Sequence, residues 1–153
     1  MLRDPELRPV CQIFAELGAP IELGRGKAGL RRIIPISGGT VAGARISGRL
    51  LDLGADWQTI FADGSVELDT RYGIETTDGA LIDIRNFGFR HGPADVLARV
   101  AQGEIVDPGL YYMRTLPRLE TGDPRYDWVN RTIFVGTGAR FASSVQIKIY
   151  EVV

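Results

Sequence analysis

The sequence has a single cysteine, Cys11, and a single histidine, His91, in 153 residues. One cysteine excludes an intramolecular disulfide and a zinc site built from thiolates, and one histidine excludes a multi-histidine metal centre. Carboxylate-only metal sites have no loop signature here, so no metal is expected. No stretch approaches the ~18 apolar residues of a transmembrane helix, so no membrane partner is expected. The opening "MLRDPELRPV" lacks the apolar core and cleavage pattern of a signal peptide, which makes the cytoplasm the expected location. Neither sign of charge dominates: 18 basic residues face 19 acidic ones, the net charge is -1, and no run of like charges stands out. That balance argues against nucleic acid as a partner. The G-x-S-x-G turn of serine hydrolases is absent. "GRGKAGLRR", residues 24–32, lacks the spacer and the Lys-Ser/Thr ending of a phosphate loop and reads as a basic, exposed turn entering a strand. "SGGTVAGARISG" has no following helix and makes no dinucleotide fingerprint, so no cofactor is expected.

What is present is ordinary for a folded domain. Hydrophobic residues make up 44% of the chain and charged residues 24%, which suits one domain over residues 1–153 with a real core. The 19 glycines and 8 prolines are spread along the chain and cut it into short segments, the pattern of an all-β protein. Strands are expected at Pro9–Leu17, Arg31–Ile36, Val41–Leu51, Trp57–Phe61, Ser65–Thr76, Ala80–Phe89, Leu110–Thr115, Val129–Gly136 and Val145–Val153. Together they predict an all-β barrel or sandwich. One segment differs: in "GPADVLARVAQGE", Pro93 starts a helix, Val96, Leu97 and Val100 fall at helical spacing, and Gly103 stops it. This short helix could cap one end of a barrel. Cys11, in "PVCQIFAEL", reads as a small buried hydrophobe, and His91 as a turn or cap residue.

The segment "VELDTRYGIETTDGALIDIRN", residues 66–86, reads as a β-hairpin. A three-residue Thr77-Asp78-Gly79 loop joins like faces, whereas a two-residue turn would flip one strand and set apolar against charged side chains. The longer loop puts Val66, Leu68, Thr70, Tyr72 and Ile74 with Ile82 and Ile84 on the inner face. Glu67, Asp69, Arg71, Glu75, Asp83 and Arg85 then face solvent, with Asp69 diagonal to Arg85 and Asp83 diagonal to Arg71.

Aromatic and polar residues near strand ends supply a candidate site. Trp57 follows a turn, and "YYMRTLPRLETGDPRYDWVNRTIF" brings Tyr112, Arg114, Glu120, Trp128 and Asn130 close in sequence. Strand spacing puts Tyr112 with Arg114, and Trp128 with Asn130, on shared faces. An aromatic wall beside an amide, a guanidinium and a carboxylate is what a small-molecule pocket uses. The bland alternative is that the tryptophans plug the core and Arg114–Glu120 is a structural ion pair.

The blocks "RRIIPISGGTVAG", "GRLLDLGADWQ", "ELDTRYGIETTDGALI", "YYMRTLPRLETGDPRYDWVNRTIFVGTG" and "VQIKIYEV" together resemble the uncharacterised family named domain of unknown function 3237, from about residue 8 to the end. The resemblance implies a compact antiparallel β-barrel and brings no activity with it. It narrows the strand reading to a single antiparallel β-barrel of about eight to ten strands with one short helix. The positions it singles out match Trp57, Tyr72, Gly79, Arg114, Glu120, Trp128 and Asn130, while Leu119 stands where a Phe is expected.

Two functional readings follow. In the first, the barrel is a small-molecule-binding enzyme that needs no cofactor: an isomerase, cyclase or lyase acting on a small organic substrate. Tyr72 or Glu120 would be the acid/base, with a nearby cation favouring the phenolate. Arg114 and Asn130 would hold a carbonyl or carboxylate, and Trp57, Tyr112 and Trp128 would wall the pocket. In the second, the barrel carries or senses a hydrophobic or aromatic ligand without chemistry. An exposed edge or apolar strand face would allow a homo-oligomer.

Overall fold

The computed structural model describes all of residues 1–153. The hairpin sets the architecture. β6 (Val66–Thr76) and β7 (Leu81–His91) pair so that Tyr72 meets Ile84 and Ile74 meets Ile82. Thr76 N–H donates to the Ala80 carbonyl at 2.8 Å across the three-residue loop, and Gly79 takes φ +90°. Val66, Leu68, Tyr72 and Ile74 are buried, as expected from the alternation. Of the two expected diagonal pairs on the outer face, Arg71–Asp83 forms at 3.1 Å, and no ion pair joins Asp69 to Arg85.

Eight strands close the wall in the order β1 (Leu7–Leu17), β10 (Ser144–Val152), β9 (Phe134–Arg140), β8 (Tyr112–Glu120), β7, β6, β5 (Ala55–Ile60), β3 (Leu30–Ala42) and back to β1. All neighbours are antiparallel. Two further strands, β2 (Ile21–Arg25) and β4 (Gly48–Leu50), pair alongside β3. Inward positions fill the barrel with branched aliphatics, among them Ile13, Ile34, Ile74, Ile82, Ile84 and Ile149, with Phe134 at one end. Each such side chain contributes roughly 1.5–3 kcal/mol on burial.

The helix α1 (Ala94–Ala101) follows Pro93 and turns Val96 and Val100 into the core. Gly103 beyond its end lies against Ala142 in the β9–β10 turn, and Leu97 lies near Gly64 in the β5–β6 turn. α1 therefore covers the mouth of the barrel at that end.

Three stretches differ from the sequence expectation. β2 has every residue exposed, so it shows no alternation to read. The strand expected across Val41–Leu51 is broken by bends: Val41 and Ala42 end β3, which runs unbroken from Leu30, and Gly48–Leu50 forms β4. The strand expected from Val129 starts at Phe134, because Pro124–Arg131 forms 3₁₀ turns. Asp123 caps those turns by accepting from Arg125 N–H at 3.0 Å, and Pro124 occupies the first helical position. β8 pairs with β9 at only two positions, Arg114 with Thr137 and Thr115 with Gly136. Beyond Thr115 the two strands diverge, and Pro117, which lacks an N–H, is accommodated there.

Candidate functional site

The barrel interior is not wholly apolar. Inward positions on neighbouring strands deliver Asp56 and Gln58 from β5, Thr70 and Tyr72 from β6, Asn86 and Arg90 from β7, Thr115 from β8 and Arg140 from β9. They enclose, with Ile13, Ile34, Leu68, Met113 and Ile147, a cavity of ≈ 40 Å³. That is room for a few water molecules. A second recess of ≈ 230 Å³ lies at the α1 end, lined by Arg32, Arg90, Arg140, the end of α1 and the β9–β10 turn. Arg90 and Arg140 line both spaces and stand between them.

Asp56 is the centre of the polar network. One carboxylate oxygen accepts from Asp69 N–H at 3.0 Å and Thr70 Oγ1 at 3.0 Å, and the other accepts from Gln58 Nε2 at 2.6 Å. Arg32 Nε in turn donates to Gln58 Oε1 at 2.8 Å. Burial nevertheless holds the Asp56 carboxyl above the ordinary carboxylate range, with the hydrogen bonds and the Arg90 charge drawing it partly back. Tyr72 is pushed up by burial and stays a phenol, the Asn86 side chain offsetting only part of the rise. Arg90, 6% exposed, is lowered to about 10, first by burial and then by its neighbours Arg140 and Arg32. Two buried polar atoms facing this space, Asn86 Oδ1 and Thr115 Oγ1, have no hydrogen-bond partner. Native interiors seldom leave such atoms unpaired, so a bound water or a ligand group is the expected partner of each. Cys11 is also buried, and its thiol is raised to about 12, which makes it chemically quiet.

The Asp56 shift has a testable sign. The folded protein binds this proton more tightly than the unfolded chain does. Asp56 thus stabilises the fold most below its unfolded value of ~3.9, and the contribution is lost as pH rises through the raised folded value. Asp56→Asn has no such loss. Thermal unfolding between about pH 4 and about pH 8 should therefore show the variant gaining on the wild type as pH rises. A melting difference that stays flat across that range would contradict the assignment.

A family profile described as a protein of unknown function, DUF3237, matches residues 5–152. The chain belongs to the DUF3237 family. A UPF0311 protein of Rhodopseudomonas palustris is 44% identical over 147 residues, 96% of each chain. A crystal structure of a conserved protein of unknown function from that organism superposes with TM-score 0.94 at 43% identity over the whole of both chains. A β-barrel-like protein from Acinetobacter baumannii gives 0.89 at 42% identity, covering 100% and 99% of the two chains. A structure described as an enzyme from Penicillium herquei shares the fold, with TM-score 0.74, 18% identity and coverage of 100% and 98%.

Within this DUF3237 barrel, Tyr72 is the one sequence-selected site residue that lines the lumen. Trp57 is 38% exposed on the outer face of β5. Tyr112 is also outside, stacked on His91 at 4.6 Å between ring centres, with the Arg114 guanidinium 5.4 Å from its ring. Glu120 and Asn130 share an outer groove beside Arg71, Asp83 and Arg118. Asn130 acts as a clip there: its amide accepts from Thr121 N–H at 2.8 Å and donates to the Thr121 carbonyl at 2.9 Å. Trp128 packs against the core edge with the Arg45 guanidinium 3.6 Å over its ring. These residues are not brought together around one pocket. The strand spacing that grouped Trp128 with Asn130 does not apply, because both lie in the 3₁₀ segment.

The lumen residues that sequence reasoning passed over were partly readable. Continuing the inward row of β7 past Ile82 and Ile84 reaches Asn86, Gly88 and Arg90. Asp56 and Gln58 flank the outward Trp57, so the conspicuous aromatic drew the eye to the wrong face. Arg140 has no apolar alternation around it to mark its direction. No cluster of three or more His, Cys, Asp or Glu side chains is arranged to hold a metal ion. No helix is long and apolar enough to cross a membrane.

Proposed function

We propose that the barrel is a cofactor-independent enzyme that moves a proton on a small organic substrate, in the isomerase, cyclase or lyase range. The observation that carries this reading is Asp56, a buried carboxyl whose proton affinity burial raises, at a cavity also lined by Asn86 and Thr115, each with an unpaired polar atom. A carboxyl whose proton affinity is raised by burial, at a cavity, is the kind of group that serves as a general acid or base. Its three hydrogen bonds fix its orientation, and Gln58 ties it to Arg32 at the mouth. Tyr72 serves as a neutral donor rather than as the base, since burial keeps its proton on. Asn86 and Thr115 would bind the substrate's polar groups. A fungal protein of this fold is described as an enzyme, so the architecture can carry catalysis. A cavity of ≈ 40 Å³ with a recess of ≈ 230 Å³ suits a small molecule and has no room for a dinucleotide or flavin.

The test is proton exchange in D₂O, followed by proton NMR, with acetoacetate, acetylacetone and 2-oxoglutarate as carbon acids. Wild-type protein should speed exchange above the buffer rate for at least one of them. Asp56→Asn should lower the catalysed rate by about 10²-fold or more, the usual contribution of a positioned acid/base. Exchange that Asp56→Asn leaves intact would remove Asp56 from the mechanism. Binding without exchange would favour the carrier or sensor reading.

A further inference from the structure

The three arginines at the mouth are unbalanced. Arg90 is 6% exposed, and its guanidinium makes no hydrogen bond or ion pair. The nearest charges acting on it are Arg140 and Arg32, both repulsive, and Asp56. Arg140 donates only to the Ser144 carbonyl, at 3.3 Å, and Arg32 is spent on Gln58 through Nε. Asp56 does not satisfy them: its oxygens accept from Asp69, Thr70 and Gln58, and none of the three guanidinium groups bonds to it. Three cations thus meet one carboxylate, which makes no ion pair with any of them. None of the Arg90 side-chain nitrogens is sealed off from the recess and cavity it lines, so its N–H donors are free to take an anion there.

We infer that the mouth of the barrel is a built anion site, in which Arg90, flanked by Arg140 and Arg32, seats a carboxylate of a small organic acid. The inference rests on the reading of the lumen as a small-molecule site and names the class of molecule that enters it. The planar fork of Arg90 matches a carboxylate with two parallel hydrogen bonds. The anion would stand between the recess and the inner cavity, because Arg90 and Arg140 line both. The rest of the acid would lie in the ≈ 230 Å³ recess, and an atom next to the carboxylate would face the inner cavity with Asp56, Asn86 and Thr115. The unpaired atoms of Asn86 and Thr115 suit a hydroxyl or carbonyl on that neighbouring atom.

Calorimetric titration at low salt with matched pairs tests this: acetate against acetamide, benzoate against benzamide, and inorganic phosphate as a third arm. At least one carboxylate should bind about tenfold or more tightly than its amide, as charge-assisted hydrogen bonds require. Arg90→Gln should erase that preference, while Asp56→Asn should retain or strengthen it. Retention in Asp56→Asn separates loss of the site from loss of the fold, which circular dichroism of both variants checks. Equal binding of acid and amide would overturn the anion site and leave the lumen reading standing. Binding of phosphate alone would overturn the carboxylate assignment. Failure of every probe to bind would overturn both readings.

Discussion

Arg90→Met should make the ligand-free protein more stable, by ~1–4 kcal/mol, the range seen when buried charges give way to apolar side chains of similar volume. The reason lies in what Arg90 lacks. The residue is largely buried, its guanidinium makes no hydrogen bond or ion pair, and two neighbouring arginines repel it. Methionine keeps much of the apolar stem, fills space flexibly, and removes both the desolvation penalty and the repulsion. Arg140, also lowered by burial and by Arg32, would be relieved at the same time. Urea unfolding without ligand measures the effect: the midpoint should rise with the slope unchanged. A fall in the midpoint would mean that Arg90 is held by favourable contacts in the empty barrel. Stability gained by deleting a residue at the cost of binding is the usual mark of a functional group.

Gly54→Ala should act in the opposite direction, lowering stability by ~2–5 kcal/mol, from a left-handed backbone penalty of ~1–2 and an overpacking cost of ~1–3. Gly54 has φ +88°, and a Cβ placed there would overlap the Arg71 carbonyl oxygen. Its own carbonyl accepts from Ile36 N–H at 3.1 Å, tying the start of β5 to β3. Asp56 follows two residues later, so the strain falls on the strand that aims the carboxyl. Gly79→Ala is the control. Gly79 has nearly the same conformation, φ +90°, but a Cβ there meets nothing within 4 Å. It should show only the conformational part, ~1–2 kcal/mol. Equal losses at the two positions, measured by denaturant unfolding, would show that the Arg71 contact relaxes freely.

The hairpin shows how far sequence could reach. Its register followed from one choice, whether the loop has two or three residues, since only the longer loop keeps Ile82 and Ile84 with Tyr72 and Ile74. The spacing of strands and turns gave an all-β barrel or sandwich, and the family resemblance chose the barrel. The 3₁₀ segment was missed although "TGDPRYDW" carries a capping aspartate before a proline, because the following "VNRTIFVG" reads as strand on composition alone. The site was legible only in part. Tyr72 and Thr70 sit in a row marked by apolar neighbours on the same parity. Arg32, Arg90 and Arg140 lie at strand ends where the apolar row has run out, and what joins them is barrel closure. Closure sets residues from β3, β7 and β9 around one opening, a proximity that no local spacing encodes. On β8, Tyr112 and Arg114 share one parity as expected, Glu120 falls on the same row because the strand runs on past Thr115, and that row faces outward.

The divergence of β8 from β9 bears on how a molecule could get in. A closed wall widens only by giving up rungs between strands, and most junctions here would have to release many. The β1–β10 and β7–β8 ladders each hold nine paired positions, whereas β8–β9 holds two. One of those two is Thr115, whose hydroxyl faces the inner cavity. The most thinly bridged seam of the wall therefore runs along the side of its own chamber. For a guest larger than a few waters, parting that seam would sacrifice fewer ladder positions than any other line along the wall.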